Sequence, residues 1–145
     1  RSKHKHVQTP SLYPKHRVFV DYAPLVFKHI RQNVLGIDDK QYKASIIPST
    51  PRMQLRMLKK CKFGEGRSGA FFYITHDSKF VVKTIKKREV ECFVEILSDY
   101  KEYLDANPRT IFSRCVGLHS LTFYGLTLYF LVMENVFAAK LKPTE

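Results

Sequence analysis

Apolar residues recur at helical spacing near the start of the chain, at Ala23, Val26, Phe27, Ile30 and Val34. This predicts a helix that Asp21 can cap, that tolerates Pro24 in its first turn, and that Gly36 closes. A second short helix is predicted around Asp39 to Ala44, and Pro48 to Arg52 reads as a loop. Met53 to Lys62 fits either a strand or a helix. The pattern then changes to strand periodicity. Ala70 to Thr75 is aromatic and β-branched, the polar THDSK follows, and Phe80 to Lys83 is again apolar. Helical spacing returns with Phe93, Ile96, Leu97, Tyr100 and Leu104, and Pro108 ends it by biasing Asn107 toward extended geometry. Val116 to Phe123 and Leu126 to Val136 flank Tyr124-Gly125 as a hairpin. The fold class is therefore α+β: an antiparallel sheet of about five strands with flanking helices.

Between the ambiguous segment and the first clear strand lies GEGRSG, whose Gly64, Gly66 and Gly69 match G-x-G-x-x-G. Glycines let a backbone approach phosphate oxygens without Cβ clashes and turn amide N–H groups toward an anion. Arg67 and Ser68 add donors. A Rossmann loop would have to open a helix that receives the pyrophosphate, but here a strand follows, so that reading fails and a hairpin like that of protein kinases survives. Lys83, in Phe80-Val81-Val82-Lys83, stands fourteen residues beyond Gly69. It resembles the strand lysine that holds the α- and β-phosphates of a kinase nucleotide. Such a lysine needs an acidic partner. Glu89 lies four residues before Phe93 on the apolar face of the following helix and is expected to point inward, whereas Glu91 and Glu95 stack on a flank. The competing reading of Glu89 is a surface carboxylate at a helix start, favoured there by the helix dipole.

DYAPLVFKHIRQNVLGIDDKQYKAS (Asp21 to Ser45), GRSGAFF, FVVKTI, NPRT (Asn107 to Thr110) and LVMENVF together resemble the phosphatidylinositol phosphate kinases, in order from about Val18 to Phe137. The resemblance implies the N-terminal, ATP-binding lobe of a kinase-like fold over residues 18–145, preceded by a basic lead over residues 1–17. It implies that the parent protein is an ATP-dependent lipid kinase that transfers the γ-phosphate to an inositol-ring hydroxyl. ATP contacts are then expected from Gly64, Gly66, Arg67, Ser68, Gly69 and Lys83, with Val81 and Met133 beside adenine. The hinge backbone around Glu134, Asn135 and Val136 is expected to complete the site. Mg²⁺ is implied as well. In this family its ligands, the catalytic aspartates and the DLKGS and MDYSLL segments follow the point at which this chain stops. Catalytic residues are therefore expected outside it, and this stretch alone is expected to be inactive. NPRT resembles the branch that phosphorylates the 5-position of phosphatidylinositol 4-phosphate, while NVF with Lys140-Leu141 resembles the 4-kinase branch. The Asp21 to Ser45 run favours the former. The resemblance also implies a homodimer.

Charge adds a membrane expectation. Residues 1–62 hold 14 Lys/Arg and 3 Asp/Glu, a net +11, whereas residues 63–145 hold 11 and 10, a net +1. A basic surface attracts anionic lipid head groups, each Lys or Arg contributing about 1 kcal/mol. The expected partner is a phosphoinositide in an anionic membrane surface, and the expected location is cytoplasmic and peripheral. A noncatalytic phosphoinositide-binding or dimerisation scaffold is the alternative reading. Nucleic acid suits the charge but finds no recognition motif, so no such partner is expected. The longest apolar run, Leu128 to Met133, is six residues against the roughly 20 that cross a bilayer. Cys61, Cys92 and Cys115 are too few and too scattered for a disulfide framework or a zinc site, and His4, His6 and His16 lack accompanying ligands, so no metal site is expected. Arg109 and Arg114 suit either phosphate contact or solubility, and Lys86 to Arg88 a solvated turn.

Overall fold

Val18–Asp21 (β1), Lys62–Phe63 (β2), Phe71–Ile74 (β3), Phe80–Ile85 (β4), Cys115–Phe123 (β5) and Leu126–Glu134 (β6) form one antiparallel sheet in the order β1-β5-β6-β4-β3-β2. The structure is a computed structural model describing residues 18–47, 49–53, 62–63, 70–123 and 125–138. Among the described elements, the helices Pro24–His29 (α1), Asp39–Ile46 (α2) and Lys87–Ala106 (α3) accompany the sheet. The α+β class holds, with six strands instead of about five. The extra strand, β1, lies in a stretch whose pattern is too short to announce it.

Local chemistry accounts for the element ends. The first helix does not start at Asp21, because Asp21 belongs to β1; Ala23, at φ 43°, is the N-cap and offers no side-chain bond. Pro24 takes the first helical position, where its missing N–H costs nothing. Beyond His29 the chain widens into a π-turn over Ile30–Val34, with Leu35 N–H donating to Ile30 O at 3.2 Å, and Gly36 at φ +65° ends it. Asp38 caps α2 by accepting from Gln41 N–H at 2.8 Å. At the β5–β6 turn Gly125 takes φ +76°.

Directly paired residues of an antiparallel sheet share a face. Val81, Lys83 and Ile85 stand with Met133, Leu131 and Tyr129 on one face. There α1, the π-turn and α3 bury Phe27, Ile30, Val90, Leu97 and Leu104 against Cys115 and Leu118. On the other face Phe80 and Val82 pack with Val116, Val132 and Tyr42 of α2. A bulge between Cys115 and Gly117 inserts Val116 into β5, so that Cys115 and Gly117 pair with the consecutive residues Met133 and Val132.

Candidate functional site

On the first face, the register sets Val81 opposite Ile74 on β3 and Met133 on β6, and Lys83 opposite Phe72 and Leu131. Val81 and Met133 are half-buried and Lys83 is exposed. Three of the residues expected to meet a nucleotide therefore lie together on one strip of sheet. Thr84 fixes where β3 begins. Its Oγ1 accepts from Phe71 N–H at 2.9 Å and donates to Phe71 O at 3.1 Å, so the chain emerging from the glycine segment is held one residue from Lys83. Gly64, Gly66, Arg67, Ser68 and Gly69 themselves lie outside the described residues, as does most of the ambiguous Met53 to Lys62 segment.

Glu89 sits elsewhere than an inward-pointing residue would. It is exposed, and its Oε2 accepts from Lys86 N–H at 2.6 Å while its own N–H donates to Lys86 O at 2.9 Å. The orphan N–H at the start of α3 draws the carboxylate to the helix end. Among the described residues Lys83 makes no ion pair. Glu91 pairs with Lys87 at 3.8 Å on the solvent side.

The hinge candidates are held by an ordered set of bonds. Glu134 takes Arg114 Nε at 2.6 Å, and its N–H donates to Arg114 O at 2.9 Å. Arg114 Nη1 also donates to Pro108 O at 2.8 Å, so the NPRT turn and the end of β6 share one guanidinium. Arg109 is exposed. Asn135 is buried: its Nδ2 donates to Ser78 O at 2.7 Å, its N–H to Lys79 O at 2.8 Å, and its O accepts from Ala138 N–H at 3.1 Å. Val136 is the member of the three whose N–H is not drawn into these bonds. Below Met133 in the same face, Cys115 N–H donates to Tyr100 Oη at 2.8 Å, and burial pushes the Cys115 thiol up to about 11. That thiol stays protonated and inert at neutral pH.

A second cluster, on the opposite face, escaped the sequence reading. Arg31, nearly buried, donates from Nη1 to Val116 O at 2.8 Å and from Nη2 to Asp39 Oδ1 at 3.0 Å, with its guanidinium carbon 4.3 Å from the Tyr42 ring centroid. Tyr42 Oη lies 2.9 Å from His119 Nε2, and His119 Nδ1 lies 3.1 Å from Asp21 Oδ1 without the alignment of a hydrogen bond. Arg31's hydrogen bond holds the Asp39 carboxyl below its ordinary value. Burial raises the Tyr42 phenol and lowers the His119 imidazole, Asp21 opposing the latter. The available signal was weak: Arg31 and His119 each directly follow a core residue, Ile30 and Leu118. Gly117 makes room for the cluster, since a Cβ there would fall 2.0 Å from Tyr42 Oη and 2.6 Å from His119 Nε2. Next to it, Asp77 of the β3–β4 turn accepts from the Ser45 and Thr75 hydroxyls and from Lys79 N–H, tying α2 to that turn. Burial raises the Asp77 carboxyl, but these bonds outweigh it and hold it below the usual range.

The sequence that builds this framework has known relatives. The family model described as phosphatidylinositol-4-phosphate 5-kinase matches residues 53–145. The chain is 39% identical over 120 residues to phosphatidylinositol 4-phosphate 5-kinase its3 of Schizosaccharomyces pombe, covering 82% of this chain and 15% of that protein. It is 35% identical over 124 residues to human phosphatidylinositol 4-phosphate 5-kinase type-1 beta, covering 86% and 21% respectively. It is 30% identical over 129 residues to chicken phosphatidylinositol 5-phosphate 4-kinase type-2 alpha, covering 88% and 30%. The chain thus spans less than a third of each relative's length. With the family model matching well over half of the chain, and a sheet and helix arrangement consistent with the N-terminal lobe expected of it, this protein belongs to the phosphatidylinositol phosphate kinase family.

Proposed function

We propose that this chain is the nucleotide-holding part of a phosphatidylinositol phosphate kinase, with ATP lying against the Lys83 face of the sheet. The observation that carries the reading is the register that sets Val81 beside Met133 and puts Lys83 two residues along the same strip. Adenine packs between Val81 and Met133 and takes its polar contact from the backbone at Val136. The Lys83 ammonium neutralises the α- and β-phosphates, and the amides of the Gly64 to Gly69 loop, with Arg67 and Ser68, cover them. Glu89 releases the helix start and turns to Lys83 when nucleotide is bound. Mg²⁺ supplies charge neutralisation at the phosphates when bound. Its ligands are those that the family resemblance puts in the C-terminal lobe of the parent protein.

The substrate is phosphatidylinositol 4-phosphate and the product its 4,5-bisphosphate, a choice supported by the matched family model and by relatives named for that activity. The basic first 62 residues hold the protein at the cytoplasmic surface of an anionic membrane. Among the described residues no strand pairs with the outer edge of β1, and Val18, Phe19 and Val20 are exposed, which favours a homodimer. The same charge and edge favour the alternative, a noncatalytic phosphoinositide-binding or dimerisation scaffold.

The full-length protein assayed on liposomes carrying either monophosphate isomer separates the two. The expected result is turnover of phosphatidylinositol 4-phosphate that the Lys83→Met variant lacks while still binding liposomes. Liposome binding without turnover would overturn the kinase reading in favour of the scaffold.

A further inference from the structure

We propose that the cavity bounded by β1, α1 and α2, on the face of the sheet away from Lys83, binds a small amphipathic carboxylate. It encloses about 340 Å³, within the size range of ligand pockets. Its apolar wall is formed by Phe19, Leu25, Ile47 and Phe130. Three of these are unusually open to solvent for large apolar side chains: Phe19 is 58% exposed, Leu25 79% and Ile47 62%. Apolar residues left uncovered around one concavity mark a binding surface, in contrast to apolar residues scattered singly.

The charges around the cavity select the sign of the ligand. Lys28, Arg31 and Lys43 contribute three positive charges and Asp21 and Asp39 two negative ones, leaving a net +1. Arg31 is already committed to Asp39 and Val116. Asp21 stands beside the buried His119. Lys28 and Lys43, one from each helix, make no ion pair among the described residues, yet both lie close enough to Asp39 to lower its carboxyl. Two lysines lining a cavity with an apolar wall match one carboxylate on a hydrocarbon body. The floor, made by Tyr42, Arg31 and His119, is hydrogen-bonded in advance, so ordering it adds little cost to binding. Because Val81, Lys83 and Met133 occupy the opposite face, the ligand and ATP bind without excluding one another.

The test uses the full-length protein containing this chain and decanoate, with decan-1-ol and decylammonium as neutral and cationic controls, read by calorimetric titration with and without ATP. The expected result is saturable decanoate binding, unchanged by ATP and stronger than that of either control. Lys28→Glu with Lys43→Glu should weaken it at least about tenfold. Ile47→Trp, which fills the cavity from the exposed end of α2, should abolish it while leaving the far-ultraviolet dichroism unchanged. If the charge-reversed variant fails to fold, Ile47→Trp alone decides. Phosphatidylcholine vesicles containing oleic acid tell the source: binding to free decanoate alone puts the ligand in solution, and binding to these vesicles but not to lipid-only ones puts it in a bilayer. Absence of saturable binding to either, equal binding of decan-1-ol or decylammonium, or wild-type affinity in Ile47→Trp would overturn the proposal.

Discussion

Phe27, Ile30, Val90, Leu97 and Leu104 close the Lys83 face of the sheet with hydrocarbon, whereas on the opposite face Phe80, Val82, Val116 and Val132 are joined by polar groups: Arg31, bonded to Val116 O and Asp39, and the Tyr42–His119 pair. The two solutions fail differently. Hydrocarbon packing loses free energy in proportion to the volume removed, and its neighbours can partly relax into the gap. A buried polar cluster loses little when a pair is replaced together but much when one partner is removed, because the other is left without a hydrogen bond.

The largest effect is expected on the hydrocarbon face. Phe27 has no exposed surface, and Phe27→Ala should lower stability by about 3–5 kcal/mol in denaturant titration, with an unchanged slope. A loss below about 1 kcal/mol would mean that α1 is not seated on the sheet as described.

Next in size is the polar face. In Gly117→Ala the new methyl collides with Tyr42 Oη, so the Tyr42–His119 bond must break, at a cost of about 1–3 kcal/mol. Tyr42→Phe alone leaves His119 Nε2 unpaired and costs about 1–2 kcal/mol. The double variant removes the hydroxyl the methyl strikes, so its destabilisation should fall below the sum of the two by at least about 0.5 kcal/mol. Strict additivity would show that the two residues do not share a contact.

A pH titration of stability sharpens the same contrast. The His119 imidazole is lowered from its ordinary 6.5, chiefly by burial, with Arg31 acting in the same direction and Asp21 against it. The unfolded chain therefore binds this proton at a higher pH than the folded one, and stability contributed above 6.5 is lost as the pH falls below it. Substitutions on the hydrocarbon face should leave that slope untouched. A His119→Gln variant should flatten it, and an unchanged slope would assign the dependence to another group.

Much of this architecture was legible in the sequence because it rests on periodicity. The helix at Asp39 and the one carrying Phe93 to Leu104, the strands either side of THDSK, and the Tyr124-Gly125 hairpin all carry local patterns that their packing merely completes, although Lys87 and Arg88, read as a turn, already belong to the latter helix. What stayed hidden depends on tertiary partners. β1 is a four-residue strand that, among the described residues, pairs with β5, and no local pattern signals pairing with residues about a hundred positions away. The first helix looks continuous in the sequence, yet changes to a π-turn where Arg31 reaches Val116 and Asp39. Of the candidate site, the family resemblance named Val81, Lys83 and Met133, and it is the β4–β6 register that sets them on one strip. The orientation of Glu89 was not legible, because helical spacing locates a Cβ but does not say which of two partners a flexible carboxylate takes.

Glu89 offers the smallest expected effect on stability and the sharpest separation of roles. Glutamine also serves as the reciprocal acceptor at a helix start, so Glu89→Gln should keep the bond to Lys86 N–H and change stability by less than about 0.5 kcal/mol. Glu89→Ala should cost about 1 kcal/mol, the usual loss of a cap. The amide carries no charge to hold Lys83. If the carboxylate turns to that lysine when nucleotide binds, Glu89→Gln should reduce lipid kinase turnover of the full-length protein by about tenfold or more, corresponding to about 1.4 kcal/mol of transition-state stabilisation. Wild-type turnover in Glu89→Gln, together with the stability loss in Glu89→Ala, would restrict Glu89 to the helix end. The counter-charge for Lys83 would then have to come from another carboxylate, and the polar arrangement of the nucleotide face would depend on contacts made outside this lobe.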